Sequence, residues 1–254
     1  MSKFKLLASL SSAGAIFAVA APALAQTAPG AVSVSVYGGA DFAVGGTMHD
    51  GANAPVANLG ALNPALNGIP AVLQIQPRSQ NEVFDTGWTL GGELAYGLSE
   101  SSEVLFAARY TEAKGNKINV GGAAAGAPVN ATLPVLGDFG DYKSLALELG
   151  YRQYLGSGEG ITPFVTARAG AARISALSAH FTVPDAAIAR NGVPFSNGSW
   201  AFTGGADLGV AIPLGERASI VPEVGIQYTG GPNGNDTALG GLGLGGINNK
   251  GERW

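Results

Sequence analysis

Thr86 to Leu98 reads T-G-W-T-L-G-G-E-L-A-Y-G-L. In an extended chain Trp88, Leu90, Gly92, Leu94, Tyr96 and Leu98 share one face, and Gly87, Thr89, Gly91, Glu93, Ala95 and Gly97 the other. A period of two predicts a strand. One face is bulky and apolar; its reverse is small and sparsely charged. That combination suits a barrel wall with hydrocarbon outside and a narrow polar interior.

Six more segments repeat the pattern. Val32–Val44 sets Val32, Val34, Val36, Ala40, Phe42 and Val44 against Ser33, Ser35, Tyr37 and Asp41. Glu103–Thr111 sets Val104, Phe106, Ala108 and Tyr110 against Glu103, Ala107, Arg109 and Thr111. Ser144–Leu155 sets Leu145, Leu147, Leu149 and Tyr151 against Ala146, Glu148, Gly150 and Arg152. Ile161–Arg173 alternates most weakly, with Val165 and three alanines against Thr166, Arg168 and Gly170. Trp200–Ile212 sets Trp200, Phe202, Leu208, Val210 and Ile212 against Thr203, Gly205, Asp207 and Gly209. Ser219–Thr229 sets Ile220, Val224, Ile226 and Tyr228 against Glu223, Gly225 and Gln227.

The connections alternate in length. Ser99–Ser102, Gly156–Gly160 and Pro213–Ala218 are tight and rich in Gly, Ser and Pro. Those at about 46–84, 113–142, 175–198 and from 230 onward are long. Short turns at one rim and long loops at the other match periplasmic turns and extracellular loops. On this threading Phe42, Trp88, Tyr110, Trp200 and Tyr228 form an outer lipid-facing girdle, and Tyr96 and Tyr151 an inner one. Pro163 and Pro222 are expected near the inner rim, where a missing ladder donor matters least.

Met1–Ala25 reads as a cleaved secretory signal peptide outside the fold: Lys3 and Lys5, an apolar run, then Ala23-Leu24-Ala25 before Gln26. Residues 26–31 form a short linker and 32–254 the barrel domain. Beyond residue 25 no apolar run reaches the ~18 residues of a membrane helix. A membrane protein of this sequence must therefore cross with a closed barrel.

Composition agrees. Without Lys3 and Lys5, 14 basic residues become 12 against 18 acidic ones, a net charge near −6. Nucleic acid, which calls for a basic surface, is excluded as a partner. There is no Cys, hence no disulfide and no thiolate metal site. Charged residues are 13% of the chain, about half the usual share.

The inward faces carry Asp41, Glu93, Arg109, Glu148, Arg152, Arg168, Asp207 and Glu223. In a narrow barrel such charges must pair, because a lone buried charge is costly. An ion-pair network that blocks a continuous pore is expected, with two carboxylates left over for a cation from an eighth strand.

Bacterial barrels of this kind have even strand numbers, so a further strand is needed. Leu239, Leu242 and Leu244 among glycines offer a weak one; Asn248–Arg253 does not alternate. A loop running to about Arg253, with a strand only beginning at Trp254, reads equally well. On that reading the chain is truncated or something else fills the gap.

With its leader, alternating segments, loop order and the stretch G-G-P-N-G-N-D at 230–236, the chain resembles the small eight-stranded outer-membrane barrels of Gram-negative bacteria, of the OmpA transmembrane-domain and porin-family type. The resemblance spans roughly residues 31–254. It implies an antiparallel up-and-down transmembrane barrel in the bacterial outer membrane. It also implies contact with outer-membrane lipid and lipopolysaccharide, and assembly by periplasmic chaperones and the barrel-insertion machinery. The expected role is structural or surface-interacting, with the loop from Gly46 to Asp85 as the contact surface for an extracellular protein. A small-solute pore is the alternative. A lipid A-modifying enzyme, suggested by His180-Phe181-Thr182 with Asp185 nearby, is a weaker one, and a soluble secreted β-protein remains. No catalytic residue, metal site or cofactor is expected.

Overall fold

The computed structural model describes residues 11–19, 26–156, 160–214 and 218–254, with side chains described from Gln26 onward. The expected cleavage motif at Ala23–Ala25 and the centres of two short turns lie outside these residues. In chain order the strands are β1 (Ser11–Val19), β2 (Val32–Asp41), β3 (Thr47–His49), β4 (Ala52–Val56), β5 (Ala71–Ile75), β6 (Arg78–Ser79), β7 (Gly87–Ser99) and β8 (Ser102–Ala113). They continue with β9 (Lys117–Ala125), β10 (Ala131–Phe139), β11 (Tyr142–Tyr154), β12 (Thr162–Ile174), β13 (Leu177–Val183), β14 (Ile188–Ser196), β15 (Ser199–Pro213) and β16 (Ala218–Thr229). The protein is all-β and antiparallel.

The seven strands expected from alternation are β2, β7, β8, β11, β12, β15 and β16. They form one curled sheet in the order β16-β15-β12-β11-β8-β7-β2. By themselves they leave the wall open by one strand. The opening is spanned by β1, which pairs with β16 from Ser11↔Gly225 to Val19↔Ala218 and with β2 from Gly14↔Gly39 to Ala18↔Ser35. Only with β1 does the pairing run round as a ring. Met1–Ala25 is expected to stand outside the fold as a cleaved leader; in the uncleaved chain its segment Ser11–Val19 lies along β16 and β2. The backbone of any extended segment satisfies the two open ladders, whatever its side-chain pattern.

The weak C-terminal strand expected around Leu239–Leu244 is not a strand. Gly240–Leu242 is a single 3-10 turn. Leu239 and Leu244 are buried in a different core. Arg253 makes an antiparallel bridge to Thr229, and Trp254 exchanges backbone hydrogen bonds with Val44 (2.8 Å) and Gly45 (3.2 Å). The last two residues thus lie between the ends of β16 and β2, at the rim of the opening that β1 fills below.

The four long connections are a second correction. Three of them are not irregular loops, whereas no strand is assigned after Thr229 among the described residues. Six strands of those three connections form an antiparallel sheet, β14-β13-β10-β9-β5-β4. Its large apolar core includes Leu73, Val120, Val135, Phe139, Ile188 and Phe195. The sheet stands beyond the long-connection rim of the curled wall.

Inside the wall, small residues make room for rings. A Cβ on Gly91 would lie 2.4 Å from the Tyr37 ring, and one on Gly209 2.3 Å from the Phe164 ring. Tyr37, Tyr154, Phe164, Ala211 and Val221 form an apolar plug in the interior, with Tyr154 and Phe164 edge to face at 5.7 Å. Pro163 is the second residue of β12, whereas Pro222 lies well inside β16. The β15–β16 ladder passes from Gly209↔Glu223 to Ile212↔Ile220, skipping Val221 and Pro222, as a residue without an N–H requires.

Candidate functional site

Alternation puts one charged side chain or more from most wall strands onto the same inner surface, where the curvature brings distant strands together. The Arg152 guanidinium, from β11, donates to Glu103 of β8 at 2.7 Å and meets Glu93 of β7 at 3.0 Å. Its Nε donates to Thr166 Oγ1 at 3.1 Å, and its plane lies 4.6 Å from the Phe164 ring centre. Tyr154 donates its hydroxyl to the same Glu103 at 3.1 Å. Arg168 holds Asp207 at 2.6 Å and Glu223 at 3.6 Å. Arg109 pairs with Glu148 at 3.3 Å and donates to Gln227 Oε1 at 3.1 Å, while Gln227 Nε2 donates to Glu148 at 2.7 Å. Glu103 and Glu148 are each 1% exposed and Arg152 5%. Planar guanidiniums suit this work, since each offers donors to several acceptors at once.

All eight inward charges of the sequence reading enter such contacts. Two partners were missed. Glu103, placed on the inward face but not counted among the charges, shares Arg152. Arg253 pairs with Asp41 across 212 positions of sequence and stacks 5.1 Å from the Tyr142 ring centre. The polar run Asn248–Arg253 carried no periodic signal by which Arg253 could be assigned inward.

The reverse surface is apolar and exposed. Leu149 is 68% and Leu208 62% exposed, and Val32, Leu90, Phe202 and Ile226 are exposed with them. Of the expected girdle residues, Phe42, Trp88, Tyr96, Tyr151 and Trp200 are exposed, while Tyr110 and Tyr228 are half-buried. Trp88 and Tyr110 pack at 5.4 Å between ring centres, and Tyr228 packs on Trp254 at 4.7 Å.

The second sheet holds a cup of about 480 Å³. Strands β5, β9, β10, β13 and β14 wall it, and the segment from Ala238 to Ile247 roofs it. That segment is tied down by Asn248, whose amide donates to Phe195 O and, at 3.0 Å, to Asn235 O. His49 lines the cup, is 2% exposed, and has no hydrogen-bond partner at Nδ1. Burial pushes its pKa down to about 4; the nearby Arg78 charge acts in the same sense, and Asp50 and Glu82 oppose it. Glu82 itself is held below the usual carboxylate range by hydrogen bonds from the Ser79 N–H (2.8 Å) and hydroxyl (2.7 Å).

His180 and Thr182 lie on β13 in this sheet, not on an irregular loop. The exposed His180 ring accepts at Nδ1 from the Gly192 N–H at 3.2 Å, and Asn191 lies 3.4 Å from the same nitrogen. Those neighbours, rather than a carboxylate, orient the ring. Among the described residues no group of three or more His, Asp and Glu side chains is placed to hold a metal ion.

Family models, curated proteins and solved structures were compared with this chain, and none matched.

Proposed function

We propose that this protein is an outer-membrane barrel with a structural or surface-interacting role, displaying the second sheet outside the cell. The observation that carries the reading is the inversion of the wall: its leucines and tryptophans face outward while its carboxylates and guanidiniums are enclosed. In water, an exposed apolar surface continuing from strand to strand is costly. In hydrocarbon it is the required one. The sorting of short turns to one rim and the folded second sheet to the other supports the same orientation.

The leader and the wall strand compete for one segment. Ser11–Val19 places Ile16 beside Phe17 and lacks the period-two alternation of the other seven strands. We read it as an export leader lying in the opening. Its removal after Ala25 vacates that place, and an open ladder in lipid is prohibitive. We read closure of the mature wall as falling to the C-terminal end, which already pairs with Thr229 beyond β16 and with Val44 and Gly45 beyond β2.

The test is gel mobility combined with surface labelling. Protein extracted from bacterial membranes is expected to migrate faster unheated than boiled, as a closed barrel resists detergent until heated. Cysteines placed at exposed Lys117 and Asn191 are expected to react with an impermeant maleimide on intact cells. A heat-independent band from a water-soluble fraction overturns the proposal.

A further inference from the structure

The cup in the second sheet has no role in the wall. It opens from a single sheet and its roof, and its volume falls within the range of small-molecule sites, about 300–1,000 Å³. Its surface is built from aliphatic and aromatic side chains such as Leu73, Val135, Phe181, Ile188 and Leu244. Polar groups break this lining at few places. One is the buried, unpartnered His49 Nδ1. Arg190 and Asn191 also contribute to the lining.

Arg190 is exposed, and its guanidinium meets Ala61 O at 3.5 Å, the outer limit of a hydrogen bond. A guanidinium offers five N–H donors in a fork that matches a carboxylate. An apolar recess with a cation on its lining is complementary to an apolar chain that ends in a carboxylate. We infer that the cup binds a free medium-chain fatty acid, its chain between the sheet and the Ala238–Ile247 roof and its carboxylate on Arg190. The inference goes beyond the membrane reading and does not depend on it, since every residue it uses lies outside the curled wall.

The experiment measures binding of radiolabelled dodecanoate to the full protein in phospholipid nanodiscs and in amphipol, with protein-free particles as the partition control. Saturable binding of one dodecanoate per protein is expected in both. Arg190→Gln is expected to weaken dodecanoate about tenfold and to leave competition by dodecanol unchanged. Val193→Trp and Ala238→Trp, which place bulk on the lining at two separate points, are each expected to abolish binding; unchanged gel mobility and circular dichroism exclude unfolding as the cause. Ile75→Ala is expected to shift preference toward longer chains.

No saturable binding, or binding unaffected by both tryptophans, overturns the inference. Binding in amphipol alone also overturns it, since a membrane-lipid chain then takes the cup. Equal losses of dodecanoate and dodecanol in Arg190→Gln overturn the assignment of the carboxylate. Where gel mobility and fractionation show a water-soluble protein, dodecanoate binding is measured in buffer with and without phospholipid vesicles, so failure of the membrane reading leaves this result interpretable.

Discussion

At the residue scale, enclosure decides what each charge is worth. Arg152 stands between Glu93 and Glu103, both buried, and pairs with both while its Nε donates to Thr166. Arg152→Ala would leave two carboxylates enclosed without a cation. A destabilisation of about 3–5 kcal/mol is expected from breaking a buried pair in this way, read from urea unfolding in detergent. Arg152→Lys is expected to fall between, because one ammonium lacks the fork that reaches both acids. His49, on β3 against the cup of the second sheet, is the corresponding group outside the wall. Its folded pKa of about 4 lies below the ordinary 6.5, so the unfolded chain takes up a proton first as pH falls. Stability is fully present above pH 6.5 and declines from there to about pH 4, by at most roughly 3–4 kcal/mol at ~1.4 kcal/mol per pKa unit. His49→Phe keeps a ring and removes the titration. Hydrogen exchange of the second sheet is expected to weaken between pH 6.5 and 4 in the parent and to lose that dependence in the variant.

At the scale of elements, the seven alternating strands were legible nearly to their ends. Thr86–Leu98 became Gly87–Ser99, and Trp200–Ile212 became Ser199–Pro213. The strands of the long connections were not read, although Leu177–Val183 alternates Leu177, Ala179, Phe181 and Val183 with Ser178, His180 and Thr182. Such segments are short, and their pairing partners are far away in sequence: β5 lies on β9, and β10 on β13. The place of β1 can be tested cleanly because the chain has no cysteine. Ala18 and Ser35 are paired across β1 and β2. In the precursor refolded in detergent, Ala18→Cys with Ser35→Cys is expected to cross-link on oxidation. Mature protein from membranes is expected to begin at Gln26 by mass spectrometry and so to lack the pair. A failure of the precursor to cross-link would remove β1 from the wall.

At the scale of the whole molecule, the interior is crossed rather than open. Arg152 ties β11 to β7, β8 and β12, Arg168 ties β12 to β15 and β16, and the Tyr154–Phe164 plug fills the space beside them. Two interior spaces around Arg109, of about 60 and 40 Å³, share Thr89, Arg109, Gly225 and Gln227 in their linings. Each has room for a water or two. Planar-bilayer recordings are therefore expected to show no steady single-channel conductance. A reproducible open level would argue for the pore reading instead. The second sheet has its own apolar core and is a folded platform.

By itself the sequence determined the strand character of seven segments, the face each presents, and the inward placement of eight charges. Those properties are local: side-chain direction in an extended chain alternates residue by residue, whatever lies alongside. Tertiary structure decided what fills the gap between the first and last of those strands, which cation serves Asp41, and that the long connections build a sheet with a cup. These depend on which remote backbone edges and side chains meet, and burial and pairing over such separations leave no period in the chain.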